Sequence, residues 1–384
     1  MEVIFILGAS QAFFLSFLVF KKASKSDGDY VLGAWLAFMG LHLLDHYFMS
    51  MGFSFRYPHL LGVGQCFPML QGPFMFVYIL VMISKNGRFK PIYLLHGVPF
   101  LLFTIYFTFD FYILGSEEKL AYYKVLASEG SLAVSISEIL NFYLGPIYVV
   151  WSLIKLRKHI KNIANNFSYT EEIDLSWIKH ILIGLGFVWF VVLMTSFLDV
   201  LSLSEEWGNH LIYLSLTVAV FFLGYFGIKQ QAIYVPTPAV AGASKVAETE
   251  VKAEKPTPAD RYKHSGLKKE EGEEYAKKLL DYMENDLPYL NGKLSLKEVA
   301  EYLNISVNHL SQVINEQLGK SFFDFVNEYR VEEVKRLMSE SKHEQFTLLA
   351  VAYDSGFNSK SSFNSIFKKM TGFTPSEYLR ERVA

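Results

Sequence analysis

Residues 348–372, LLAVAYDSGFNSKSSFNSIFKKMTG, read as a short helix, a tight turn around Gly356 and a longer amphipathic helix. Phe363 and Phe367 are one helical turn apart and so share a face, while Ser361, Asn364 and Ser365 fall on the other. Residues 297–319, KEVAEYLNISVNHLSQVINEQLG, repeat the arrangement. Ala300 and Ala352 are small where one helix must approach the next, Leu303 and Phe357 plug the turns, and Leu310 and Val313 face inward with the two phenylalanines. Punctuation agrees with this reading. Ser295 with Glu298 makes a capping box ahead of a helix from Leu296 to Leu303, and Thr374-Pro375-Ser376-Glu377 places a cap, a first-turn proline and a third-position glutamate in order. Gly319 and Gly372 stand where helices end in a left-handed turn. The pattern predicts a helix-turn-helix unit twice.

The chain ahead of these units has a different composition. Of its 384 residues, 16% are aromatic and 19% charged, against about 25% charged in an average soluble protein. The apolar excess is confined to the part before Lys229. Hydrocarbon about 30 Å thick demands about 20 mostly apolar helical residues per crossing, because lipid cannot satisfy backbone amides. Seven segments qualify: Val3 to Phe20, Tyr30 to Ser50, Leu60 to Ser84, Ile92 to Phe109, Leu132 to Ile154, Ile178 to Leu201 and His210 to Ile228. The first does not read as a cleaved signal, since Lys21, Lys22 and Lys25 follow the apolar run and no small-residue cleavage site is present. The expected fold is all-α: a seven-span bundle over residues 1–229, a linker over 230–270 and a small domain of two helix-turn-helix units over 271–384.

Positive charge sets the expected orientation. One set of loops carries Lys21, Lys22, Lys25, Lys85, Arg88, Lys90, Lys155, Arg157, Lys158, Lys161 and Lys179, while the other carries only Arg56, Lys119 and Lys124. The basic set belongs on the cytoplasmic side of the membrane, so the N-terminus is extracytoplasmic and the C-terminal domain cytoplasmic. Trp151, Trp177 and Trp207 fall at the expected interfaces. The linker, VPTPAVAGASKVAETEVKAEKPTPADRYKHSG at 235–266, has too few large apolar residues to bury a core and is expected to be a disordered tether with a reach of about 33 Å.

The stretch GFNSKSSFNSIFKKMTGFTPSEYLR, 356–380, follows almost throughout a pattern of glycine-aromatic, serine, aromatic, aromatic-lysine-lysine, glycine and threonine-proline. In this it resembles the AraC family of bacterial transcription regulators, over about the last 110 residues. The resemblance implies double-stranded DNA as partner, with the helix Phe322 to Met338 joining two recognition helices that enter successive major grooves about 34 Å apart. Carried over by position, base edges would be met by Asn308, Ser311 and Gln312 in the first unit and by Lys360, Ser361, Asn364 and Ser365 in the second, with Lys368 and Lys369 on phosphates. As an alternative, each of these positions suits an ordinary solvated helix face. One departure stands out: from Glu273 to Ala384 there are 14 Lys and Arg against 17 Asp and Glu, where DNA-binding domains are usually basic. The positive charge is concentrated in 356–372, which carries three lysines and no acid. Dimerisation or confinement at the membrane would compensate for weak non-specific affinity, and a homodimer is a candidate state.

In the membrane half, ionisable and polar residues gather toward the extracytoplasmic ends of the spans: His42, Asp45, His46, Gln65, Glu138, Asp199 and His210. They suit a pocket for a small-molecule ligand, and equally suit hydrogen bonds between helices. His42, Asp45 and His46 share one helix face and have usable metal-ligand spacing, but neither a metal nor a cofactor is assigned. Gly62, Gly64, Pro68, Gly72 and Pro73 permit an irregular third span. The single cysteine, Cys66, excludes an internal disulfide. No phosphate-binding loop, dinucleotide fingerprint, GxSxG, HExxH or phosphorelay pattern is present, so no catalytic residue is assigned. The expectation is a one-component, membrane-bound regulator. A factor released by proteolysis, and a membrane enzyme or transporter with a regulatory domain, are the alternatives.

Overall fold

A computed structural model describes residues 2–84, 87–129, 131–169, 176–201, 207–231, 267, 269–340 and 347–382. Their regular elements are all helices; among the described residues there is no β-strand, and one isolated antiparallel bridge joins Phe167 and Ser295. The chain divides into two compact units. The first comprises Met1–Lys158 and Leu175–Val235, the second His159–Asp174 and Pro236–Ala384. Described residues 159–169, within the stretch assigned from sequence to the membrane half, therefore belong to the C-terminal unit. The expected tether lies almost wholly outside the described residues.

The first unit contains α1 (Glu2–Lys21), α2 (Asp27–Ser50), the short α3 (Phe53–Arg56), α4 (Pro68–Met82), α5 (Val98–Phe107), α6 (Ser116–Glu129), most of α7 (Leu132–Asn166), α8 (Ser176–Val200) and α9 (Trp207–Gln231). In α1, Phe5, Ala9, Ala12, Leu15 and Val19 form one buried stripe, while Leu7, Phe14 and Phe17 are more than half exposed on the other side. A helix apolar on both faces suits lipid rather than water. Gly33 and Gly40 of α2 lie against the rings of Phe20 and Phe13, so α1 and α2 pack at glycines, and the Ser16 hydroxyl donates to the Gly33 carbonyl at 2.8 Å. At the end of that pair, Ser26 and Asp29 form a capping box and Lys22 pairs with Asp29 at 3.1 Å.

Among the described residues, five helical segments are long and apolar enough to cross a membrane: Glu2–Lys21, Pro91–Tyr112, Leu132–Asn166, Ile178–Leu198 and Trp207–Gly224. The other two of the seven expected spans differ for identifiable reasons. Helix α2 has 24 residues, but Asp27, Asp29, Asp45, His42 and His46 lower its hydropathy. Helix α4 has only 15, because the segment before it forms a 3₁₀ turn at Pro58–Leu60 and a left-handed residue at Gly62 before the helix starts at Pro68. Helix α6 adds an element that hydropathy does not mark; with Glu117, Glu118, Lys119 and Lys124 it lacks an apolar run.

The C-terminal unit comprises α10 (Lys269–Asn285), α11 (Leu296–Tyr302), α12 (Val307–Glu316), α13 (Phe322–Ser339), α14 (Leu348–Asp354), α15 (Lys360–Thr371) and α16 (Pro375–Arg382), together with the end of α7 from His159 and the residues 167–169 that follow it. Two apolar clusters hold it. Leu279, Met283, Leu296, Val299, Leu310, Ile314 and Phe325 fill the first, and Val334, Met338, Val351, Phe357, Phe363 and Phe367 the second. Helix α13 contributes to both, and Leu303, Ala300 and Ala352 pack as the turn chemistry requires. The expected capping box at Ser295 and Glu298 is present, as are reciprocal bonds between Thr374 and Glu377 and left-handed backbone at Gly319 and Gly372.

Candidate functional site

Two helix pairs, α11 with α12 and α14 with α15, supply the positions that the sequence singles out. Helix α12 starts at Ser306, whose side chain accepts from the His309 amide. Leu310, Val313 and Ile314 are buried, so the opposite face carries Asn308, Ser311 and Asn315. Asn308 is exposed and Ser311 half-buried, with the Asn315 amide donating to the Ser311 carbonyl at 2.7 Å. Gln312 differs. It is only 8% exposed and its Nε2 donates to Glu316 at 2.9 Å, which ties it to an exposed carboxylate. Asn315 lies one turn beyond Ser311 on the same face and is absent from the residues singled out by sequence; the i, i+3, i+7 spacing from Asn308 is the signal that finds it.

Helix α15 starts at Ser359, which accepts from the Ser362 amide. Phe363, Ile366 and Phe367 point into the core, leaving Lys360, Ser361, Asn364 and Ser365 exposed along one short polar face. Lys368 and Lys369 are also exposed, but Lys369 is paired with Asp324 of α13 at 2.8 Å. The preceding turn is tight. Gly356 has φ of +88°, and a Cβ there would collide with the Tyr289 carbonyl, so only glycine fits.

In the first unit a cavity of about 880 Å³ is lined by His42, Gln71, Glu138, Asn141, Trp189 and Tyr213, among others. His42 is buried and engaged at both ring nitrogens, by the Tyr213 hydroxyl at 3.2 Å and Gln71 at 3.4 Å, and Gln71 accepts from the Trp35 indole at 2.9 Å. His46 stacks on Tyr213 at 3.5 Å and has His210 edge-on at 5.8 Å. Asp45 packs on Gly64, where any side chain would collide with the carboxylate. Gln65 offers its carbonyl to Asn141 at 3.0 Å. Of the pocket residues expected from sequence, His42 and Glu138 line this cavity; Asp45, His46 and Gln65 sit in its surroundings, and the side chain of Asp199 lies outside the described ones. Gln71, Tyr213, Asn141 and Trp189 escape sequence reasoning because single polar or aromatic groups in apolar helices carry no signal until the helices are assembled. Among the described residues no three His, Cys, Asp or Glu groups are placed to hold a metal ion.

Comparison with known proteins assigns the C-terminal part. A family described as "Helix-turn-helix domain" matches residues 299–381, which span α11 to α16 apart from the first residues of α11 and the last of α16. An uncharacterized HTH-type transcriptional regulator of Staphylococcus aureus (strain COL) is 36% identical over 104 residues, 27% of this chain and 13% of that protein. A similar protein of Bacillus subtilis (strain 168), the uncharacterized HTH-type transcriptional regulator YtdP, is 28% identical over 90 residues, 23% of this chain and 11% of its own length. The chain thus spans a small fraction of the relatives it matches, and the likeness covers the C-terminal part only. No solved structure matches. Helix-turn-helix regulators of this kind are in general not enzymes. Within residues 299–381 the chain carries a helix-turn-helix domain.

Proposed function

We propose that the protein is a one-component transcription regulator embedded in the bacterial inner membrane, which binds double-stranded DNA through two helix-turn-helix units and responds to a small molecule taken up by the membrane half. The observation that carries the reading is the pair of capped helices, α12 and α15. Each has its apolar face in a core and a short polar face outward, as major-groove entry requires. Asn308, Ser311, Lys360, Ser361, Asn364 and Ser365 are assigned to base edges, and Lys368 to phosphate. Gln312 and Lys369 belong to the same surface, each engaged with an acidic partner that DNA would have to displace.

Five helices of sufficient length and apolarity among the described residues support the membrane location, and α2 and α4, as shorter or more polar crossings, bring the number of spans to seven. The basic loops favour an extracytoplasmic N-terminus and a cytoplasmic C-terminal domain. The polar cavity around His42 and Tyr213 supports ligand sensing. A homodimer would raise DNA affinity by pairing half-sites.

Genome-wide DNA occupancy of the full chain, beside a variant with Asn308, Lys360 and Asn364 changed to Ala, tests the reading. Discrete peaks that vanish in the variant are expected. Absence of discrete peaks from expressed, membrane-localised protein would overturn it.

A further inference from the structure

The C-terminal unit buries a complete guanidinium. Arg330, in the middle of α13, is 1% exposed. Its Nε donates to the Tyr289 carbonyl at 2.8 Å and its Nη2 to the Asn291 carbonyl at 2.8 Å, both from the segment preceding α11. Nη1 also donates to the Asn327 Oδ1 at 3.2 Å, and two further bonds reach a residue distant in sequence. Nη1 donates to the Ser168 carbonyl at 2.9 Å and Nη2 to the Ser168 hydroxyl at 3.0 Å. Asn327, wholly buried one turn earlier in α13, donates to the same Ser168 carbonyl at 3.1 Å. On its other side, Ser168 gives both its amide, at 3.2 Å, and its hydroxyl, at 2.7 Å, to the Leu294 carbonyl. Ser168 is itself 1% exposed, and Phe167 lies opposite Ser295 in an antiparallel bridge.

Burying a charge is costly unless its donors are met, and removing one partner leaves the other buried and unmatched. Here two side chains of α13 converge on the carbonyl of Ser168, and the Leu294 carbonyl receives the hydroxyl and amide of that same serine. Together they make a receptor for one extended peptide unit with a small hydroxyl side chain, read through backbone groups as in strand addition. Its position is as informative as its chemistry. Tyr289, Asn291 and Leu294 precede the first helix pair, Arg330 and Asn327 lie on the helix that joins the pairs, and Gly356, in the turn of the second pair, packs against the Arg330 Nε. The receptor is the joint between the two helix pairs. Its occupant comes from the loop between α7 and α8, two residues beyond the end of α7.

We propose that Phe167–Ser168 is a docking peptide by which the α7–α8 loop grips the C-terminal domain at the joint between its helix pairs. The domain is then held by two connections, the chain through residues 232–266 and this dock. A change at the end of α7 reaches the joint directly, without passing along the linker. The inference concerns the dock and its occupant and stands apart from the DNA-binding reading.

The test uses the full chain in lipid nanodiscs. Phe167 and Ser295 form the non-hydrogen-bonded type of antiparallel pair, since Ser168 donates to Leu294, and such residues approach to about 4.5 Å between Cα atoms, within disulfide reach. With Cys66→Ala, Phe167→Cys and Ser295→Cys, and a protease site inserted between residues 240 and 255, mild oxidation followed by cleavage is expected to leave the two fragments linked until reduced. A control pairing Phe167→Cys with Ser361→Cys is expected to stay unlinked. Arg330→Lys, which keeps the charge but loses the planar fork, is expected to slow linking several-fold. Because cysteine at 295 removes a helix cap and position 330 is buried, hydrogen exchange of the unaltered chain provides an independent reading. The amide of Ser168, which donates to the Leu294 carbonyl, is expected to exchange at least about tenfold more slowly than an unprotected loop, whereas the Phe167 amide is protected by its helical bond to Ile163 in either case. Linking no faster than in the control pair, or unprotected exchange at Ser168, would overturn the dock.

Discussion

Lys368 and Lys369 are neighbours in the last turn of α15, yet their surroundings differ. Lys369 is paired with Asp324 at 2.8 Å, whereas Lys368 has no ion pair among the described residues. Burial pushes the Asp324 carboxyl up, but hydrogen bonds from Lys369 and Ser321 and the nearby ammonium charges outweigh it and hold the group below its ordinary value. A carboxyl with a depressed folded value stabilises the fold above its unfolded value and loses that contribution as pH falls through the folded one. The pair is partly solvated, so its effect on stability is at most about 1 kcal/mol. Its effect on DNA binding should be larger. Asp324→Asn frees Lys369, and the expected outcome is tighter non-specific binding with a salt dependence steeper by about one unit in the log–log slope. Titrating binding against salt checks this; an unchanged slope would remove Lys369 from the phosphate-contacting set. Gln312 shows the same limit of position-by-position assignment: its side chain type suits adenine, but in the fold it is buried and held by Glu316.

At the scale of elements, the helices of the C-terminal domain are legible in the sequence because their ends are chemical. Serine or threonine caps open α11, α12, α13, α14 and α15, Gly372 ends α15 in left-handed backbone, and Gly319, also left-handed, turns the chain three residues after α12. Replacing Ser359 by Ala removes the cap of α15, and the expected cost is about 1 kcal/mol, read as a lower unfolding midpoint of the domain. DNA affinity should fall with it, since Lys360 and Ser361 occupy the uncapped turn. Elements without such punctuation are harder to bound. Hydropathy falls at Ile154, where the expected span ends, but α7 continues to Asn166 because Lys155 to Asn162 are compatible with helix and merely change its environment. Helix α6 escapes for the opposite reason, having a charged surface and no periodic apolar stripe strong enough to mark it. Helix α4, with 15 residues, spans about 22 Å against hydrocarbon of about 30 Å, so the irregular segment at 58–67 must complete any crossing.

For the whole molecule, the proposed seven-span arrangement makes a definite prediction. Reporter fusions or cysteine labelling at Lys25, Arg88 and Arg157 should report the cytoplasm, and at Arg56 and Lys124 the opposite side. If position 88 reports the outer side, either α2 or α4 does not cross, and both the count and the orientation of the later helices must be revised. Composition, charge and capping residues by themselves determined helices without strands among the described residues, an apolar half distinct from a charged one, and the helix-turn-helix patterns at the end, because those properties depend on neighbours within a few residues. The assignment of residues 159–169 to the C-terminal unit, the burial of Arg330 and the cavity around His42 and Tyr213 were decided only by tertiary structure. A charged residue in an amphipathic helix reads as solvated, and Arg330 is not, because its partners are a side chain one turn away and carbonyls 39 to 162 residues distant. Pairings across such separations leave no periodic trace in the chain; they exist once packing has brought the groups together and excluded water from between them.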